Sequence, residues 1–354
     1  MTQDDYFQEI ARDPANVDLR RIFGDWLLEQ GDPWGELVNL QDERLVNAPD
    51  APPDPRERQL IREHGAIWLG PMAPLLDLEK TIFERGFPVI CHPRPNINGL
   101  QIADALGDPR WALVREVHDI TRVWNRLILS EALSSLRVVI GLEARLALRL
   151  LLYGNPDDKP LPFEEIEVRH AKSYRDGKLN LWAAEVESWG DCRRMPHLKR
   201  LRFVDRGIRS FPPPRHFRSF WSSPLGQRLE HFGPAVMSLG QVIQWWQECR
   251  EHGDAFQGSL ELCMPDLSLT FSRDDEGQLS RLLMTVDRRS ERSDPPADGL
   301  VAQALRVLPE DALTGFEAVG DLEEPGLIAG ALERQQRLST LGMPQLADSP
   351  SVDD

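Results

Sequence analysis

Along the first eighty residues the apolar positions recur at helical spacing. Leu19, Ile22, Phe23, Trp26 and Leu27 fall at i, i+3, i+4, i+7 and i+8, which predicts one inward stripe on a helix. Asp18 stands at its start, where a carboxylate favours the positive end of the helix dipole, and Gly31 is placed to end it in a left-handed cap. Asp32-Pro33 reads as an N-cap followed by proline at the first helical position. The helix it opens carries Trp34, Leu37, Val38, Gln41 and Leu45 along one stripe. A shorter helix over 4–11 precedes both, with Tyr6, Phe7 and Ile10 inward. The proline-rich stretch 48–55 reads as an exposed loop, and a fourth helix is predicted over 56–64, stopped by Gly65. Ile67, Trp68 and Leu69 then add apolar area before Gly70-Pro71.

Farther along, the pattern changes to short runs of the form L-x-x-L-x-L. Leu133-x-x-Leu136-x-Val138, Phe163-x-x-Ile166-x-Val168 and Leu198-x-x-Leu201-x-Phe203 fit it. So do Leu279-x-x-Leu282-x-Met284 and Leu313-x-x-Phe316-x-Ala318, with weaker units near 225–232 and 260–264. The step of roughly 22 to 35 residues overlaps the ~20–29 of leucine-rich repeats and is longer where loops intrude. Helical patterns over 142–152, 239–253 and 300–308 lie between the runs, and alternation of this kind predicts an α/β solenoid with a parallel sheet. The asparagine that usually follows such a strand is missing. Gly141, Ala171, Arg206, Asp287 and Asp321 stand in its place, so backbone groups inside the bends need other partners. A non-repeating α/β domain containing short strands remains the alternative.

The run Gly24-Asp25-Trp26-Leu27-Leu28-Glu29-Gln30-Gly31-Asp32-Pro33-Trp34-Gly35-Glu36-Leu37-Val38-Asn39-Leu40-Gln41 resembles the signature of the bacterial repeat-companion domain. Asp13-Pro14, the run from Arg62 through Pro71, and Arg85-Gly86-Phe87 fit the same resemblance, which covers roughly residues 3–90. Gly24 stands where alanine is usual, and Trp34 where arginine is usual. The resemblance implies a module at the N-terminus of a repeat-built protein, with no catalytic activity attached. It makes Asp25 and Asp32 helix or turn partners, Trp26 core, and Gly31 and Gly35 backbone-permissive positions. The organisation expected is a helical module over 1–80, a degenerate leucine-rich-repeat-like solenoid over 81–343, and a disordered acidic tail over 344–354.

Composition narrows the function. The chain carries 57 acidic against 41 basic side chains, a formal net charge of −16 that repels phosphate backbones, and no block of basic residues offsets it. Nucleic acid is therefore not an expected partner. Cys91, Cys192, Cys249 and Cys263 lie far apart without a C-x-x-C pair, as reduced cytosolic thiols do. No apolar run reaches the ~20 residues that cross a bilayer, and no signal peptide opens the sequence, so a cytoplasmic location is expected. Phosphate-loop, dinucleotide-loop, nucleophile-elbow and zinc-protease motifs are all missing. Cys249 and His252, at i and i+3, lack a second ligand pair, and Cys91 and His92 are strand neighbours that face opposite sides. Glu164, Glu165 and Glu167 read as a solvated strand edge and face. No catalytic residue, cofactor or metal is expected.

The expected function is recognition of another protein by the exposed sheet face. Its candidate residues are Arg137, Glu165, Glu167, Arg169, Arg200, Arg202, Arg281, Thr285 and Glu317, which mix both signs, with Val139, Val204 and Leu283 adding apolar area. Exposed tryptophans such as Trp221 or Trp245 would serve as anchors. The rival readings are a regulatory or immunity-type subunit of a bacterial system, and an enzyme with an unrecognised carboxylate site. Oligomeric state stays open.

Overall fold

Four helices open the chain: α1 (Gln3–Arg12), α2 (Val17–Glu29), α3 (Pro33–Asn47) and α4 (Pro55–Leu69). Each starts on a side-chain cap, from Thr2, Asn16, Asp32 and Asp54 respectively, that accepts from an otherwise orphaned backbone N–H. The computed structural model describes residues 1–143, 146–147, 150, 160–169, 194–204, 223–236, 259–264, 267–273, 279–286, 316–320 and 333. The chain forms two compact units, one of residues 1–150, 157–168 and 194–197, the other of the remainder.

In the first unit the helices enclose a core of Tyr6, Phe7, Ile10, Phe23, Leu27, Trp34, Leu37, Val38, Leu60, Trp68, Phe87 and Leu113. The stripe on α2 is rotated from the expected one. Arg20, Phe23, Gly24 and Leu27 are buried, whereas Ile22 is 54% exposed and Trp26 packs at the margin. Helix α4 also runs on through Gly65, because a side chain is missing just where Leu78 packs against the helix, and ends at Gly70 with φ +51°. Helices α2 and α3 cross at two glycines. A Cβ on Gly35 would sit 2.5 Å from the Gly24 carbonyl oxygen, so bare backbone is required at the crossing. Gly35→Ala is expected to cost about 1–3 kcal/mol by forcing the helices apart. An unchanged thermal midpoint would show that the crossing has slack.

A hairpin follows, β1 (Ile82–Glu84) antiparallel to β2 (Phe87–Cys91). Arg85 (φ 48°) and Gly86 (φ 80°) are both left-handed, as the twist of a two-residue hairpin turn demands. Helix α3 holds this turn. Gln41 Nε2 donates to the Phe83 carbonyl (3.0 Å), Gly86 N–H donates to Gln41 Oε1 (2.8 Å), and Trp34 Nε1 donates to the Gly86 carbonyl (2.8 Å). The Gly-Asp-Pro-Trp-Gly run, its terminal glutamine and the distant Arg-Gly-Phe therefore meet in one structural joint.

Strands β3 (Glu116–His118), β4 (Val138–Glu143) and β5 (Glu165–Arg169) continue the sheet of this unit in chain order, with β2, β3 and β4 parallel. Short helices α5 (Gly99–Ala105) and α6 (Asn125–Ile128) lie in the connections. The second unit contains β6 (Arg200–Val204), α7 (Pro224–Arg228), β7 (His231–Val236), β8 (Ser259–Met264), β9 (Leu267–Arg273), β10 (Leu279–Val286) and β11 (Phe316–Gly320). Its strands also neighbour one another in chain order. Strands β6, β7 and β8 are parallel, as are β10 and β11, while β9 is antiparallel to both neighbours. The architecture is α/β, with N-terminal helices followed by mixed, mostly parallel strands. The seven apolar runs read from the sequence all lie in or lead into strands, β4 to β8, β10 and β11. Strand β9 was not anticipated, although Leu267, Leu269 and Phe271 alternate with Ser268, Thr270 and Ser272 at strand period.

One bonding pattern recurs at the strand starts. In the first unit Arg115 N–H donates to the Val89 carbonyl, Arg137 and Val138 N–H both donate to the Arg115 carbonyl, and Glu164 and Glu165 N–H both donate to the Arg137 carbonyl. In the second, Glu230 and His231 N–H both donate to the Lys199 carbonyl. One carbonyl with two lone pairs thus closes the last three of these steps. The residues flanking this point are inward and buried each time: Val114 and Val117, Leu136 and Val139, Phe163 and Ile166, Leu198 and Leu201, Leu229 and Phe232. In β4 the inward residue is Val139 rather than the expected Val138, so the outward assignment of Val139 is corrected. Equivalent corners after β3 and within β4 take the left-handed conformation, at Asp119 (φ 50°) and Gly141 (φ 69°).

The helical patterns over 239–253 and 300–308, the Pro212-Pro213-Pro214 segment, the 288–298 loop, the 344–354 tail, His252, Cys192, Cys249, Trp182, Trp189, Trp221, Trp245 and Trp246 lie outside the described residues.

Candidate interaction surface

Register builds the outer face of the first unit's sheet. Ile90, Glu116 and Val138 pair across β2, β3 and β4, and Ile82 of β1 pairs with Ile90. One pleat farther along, His118 pairs with Ile140. His92 follows Cys91, which is opposite Val117, so its ring comes beside that of His118. The two imidazoles stack with centroids 4.0 Å apart and an interplanar angle of 23°. Val117, Cys91 and Val139 between these columns are fully inward. The opposite facing of Cys91 and His92 is as strand alternation requires, and burial pushes the Cys91 thiol pKa up, which makes it inert.

The polar groups around the pair are ordered. His118 Nε2 lies 2.5 Å from Glu116 Oε1. The His92 carbonyl accepts from Asp77 N–H at 2.7 Å, and Asp77 pairs with Lys80. Burial lowers the His92 pKa below its usual range, and the neighbouring His118 and Lys80 push it the same way against Asp119 and Asp77. The sign follows directly. With a folded pKa below the unfolded one, the unfolded chain takes up the proton first, so stability is lost as pH falls through about 6.5 toward the folded value. His92→Gln is expected to flatten the acid side of a thermal-midpoint profile between about pH 7.5 and 5. A variant whose profile overlays the wild type would remove His92 from the account.

The residues chosen from the sequence fall in both units. Arg137 is half-buried one residue before β4, where its carbonyl takes the double bond from Glu164 and Glu165 and its Nε lies 3.4 Å from Glu164 Oε1. Lys199 repeats this arrangement with Glu230 at 2.8 Å. Glu165 and Glu167 are only 8% and 9% exposed, which corrects their reading as a solvated face; they still alternate with the inward Ile166 and Val168. Arg169 and Arg200 are exposed and Arg202 half-buried. Arg200 pairs with His231, and Arg202 with Gly233. Arg281 and Thr285 lie on β10, and Glu317 of β11 is opposite Leu283 in the register. Ile82, Ile90, His92, Glu116, His118 and Ile140 were all missed. The signal available was the Pro88-x-x-Cys91 and Val114-x-x-Val117 spacing, which repeats the apolar pair of the later strands upstream of Leu133.

Among the described residues, no three His, Cys, Asp or Glu side chains are grouped to hold a metal ion, and no helix is long and apolar enough to cross a membrane. Fold and surface together define an α/β protein with a mostly parallel sheet and a mixed aliphatic and imidazole outer face. Comparison with models of protein families, with curated proteins and with solved structures finds no match to this chain.

Proposed function

We propose that this chain is a non-enzymatic interaction protein, a repeat-companion-like helical module followed by a degenerate leucine-rich-repeat-like solenoid, which grips another protein with the outer face of its sheet. The recurrent strand-start bonding supports the repeat reading, because β3, β4, β5 and β7 each start on a carbonyl of the preceding strand segment and carry the same pair of buried apolar residues. The observation that carries the interaction reading is the surface composition. Ile82, Ile90, Val138 and Ile140 stand half-buried or exposed around a stacked histidine pair and one carboxylate. An apolar centre with few charges is the composition of an interface core, and the charged Arg137 and Glu164 suit a rim.

A photo-crosslinking amino acid placed at Ile140, with Ile67 on the exposed side of α4 as control, tests the placement. A crosslink to one defined protein is expected from Ile140 and not from Ile67, and it should vanish when Val138→Lys is added. Identical crosslinking from both positions would place the interface elsewhere.

A further inference from the structure

A line of charges runs across α2, α3 and the β1–β2 hairpin. Arg21 Nε donates to Asp42 Oδ2 (2.7 Å) and Arg85 Nε to Asp42 Oδ1 (2.6 Å). Arg85 Nη1 donates to Glu84 Oε1 (3.0 Å), and Arg115 Nη2 donates to Glu84 Oε2. All four oxygens of these two carboxylates are therefore engaged by three arginines. The exposed Asp18 reinforces Arg21 from outside at 2.9 Å.

Among the described residues a fourth arginine stands beside the same charges without a partner. Arg20 is 6% exposed, its Nε is buried with no hydrogen bond, and its guanidinium makes no ion pair with any of them. Its position on α2 is the one that Phe23 and Leu27 continue inward, where an apolar side chain would be expected. Burial, the largest of the influences on it, lowers its pKa; Glu84 and Asp42 raise it, and Arg85 and Arg115 act against them. Four arginines face three carboxylates. A buried cation left over in this way is costly, and an apolar residue of similar volume would be the more stable choice. Arg115, half exposed at the rim, commits only Nη2 to Glu84 and keeps further donors available.

We propose that Arg20, with Arg115 at the rim, binds an oxyanion, a carboxylate or a phosphate group, which completes the charge line. The planar fork of a guanidinium matches either group through two parallel hydrogen bonds. The binding groups come from α2 and from the residue before β3, and neither Arg20 nor Arg115 is among the residues assigned to the outer sheet face.

The test uses the full chain, titrated with sodium phosphate and separately with sodium acetate, with sodium chloride holding ionic strength constant. The thermal midpoint is expected to rise with at least one anion, as binding to the folded state requires. Arg20→Met should keep the far-ultraviolet circular dichroism and abolish the rise; Arg115→Gln should weaken the apparent affinity by about tenfold or more. The anion that saturates at the lower concentration identifies the source, phosphate or carboxylate. A wild type indifferent to both anions, or an Arg20→Met response equal to it, overturns the proposal. If Arg20→Met does not fold, an unchanged affinity in Arg115→Gln overturns it instead.

Discussion

Replacing Trp34 by alanine is expected to remove about 3–5 kcal/mol from the stability of the first unit, the range for deleting a large buried ring. The side chain is 2% exposed and meets Phe7, Phe23, Trp68 and Phe87 with ring centroids 5.6 to 5.7 Å apart. It also supplies the only donor given to the Gly86 carbonyl among the described residues, at a turn whose N–H is already tied to Gln41. The two contributions separate by experiment. Trp34→Phe keeps most of the packed area and loses the N–H, so it should cost about 1–3 kcal/mol, the penalty of one unsatisfied buried carbonyl. Urea unfolding followed by circular dichroism measures both. A Trp34→Ala cost below about 1 kcal/mol would mean that the hairpin is held elsewhere, since a core position of this size does not otherwise collapse without loss.

The same residues show what could be read from the chain and what could not. Caps at Asp32 and inward faces on α1 and α3 follow from local chemistry, so they were legible. The phase on α2 was not, because the rule that seeks apolar stripes passes over Arg20 and selects Ile22. No local pattern marks the guanidinium that sits inside, because Glu84, Arg85 and Arg115 around it come from more than sixty residues away. Strand β4 failed differently. Val138, Val139 and Ile140 are all apolar, so alternation cannot say which is inward. The doubled bond to the Arg115 carbonyl fixes it, and backbone pairing of that kind leaves no residue signature.

Long-range register is the second obstacle. His92 and His118 become neighbours only because Cys91 pairs with Val117, and neither strand carries the leucines that mark the later apolar runs. The seven apolar runs were legible because each shows the same apolar spacing in the sequence. The antiparallel β9 was passed over because it satisfies the strand period but not the repeat step. Strand β9 runs against both neighbours while β8, β10 and β11 point the same way. An antiparallel strand of this kind extends the sheet while its neighbours keep one direction.

Removing the carboxylate of Asp108 is the other change with a large expected effect. Arg110 is 9% exposed, and Asp108 holds it through Nε (2.7 Å) and Nη2 (2.5 Å). Arg110 Nη1 donates to the Trp68 carbonyl at 2.6 Å, so the guanidinium ties the end of α4 to the segment before β3. It also lies 5.2 Å from the Phe7 ring centroid and against Gly70, where a Cβ would sit 2.4 Å from Nη2. Asp108→Ala strands that cation in the interior and is expected to cost about 3–5 kcal/mol. The double variant Asp108→Leu with Arg110→Met removes both charges and should recover most of the loss, since an apolar pair of similar size carries no desolvation cost. The Trp68 carbonyl then lacks its donor, so recovery is expected to stop about 1–3 kcal/mol short of the wild type. Denaturant midpoints of the three proteins decide the matter. If the double variant is no more stable than Asp108→Ala, the cost lies in the lost cap on Arg110 N–H and not in the unpaired charge.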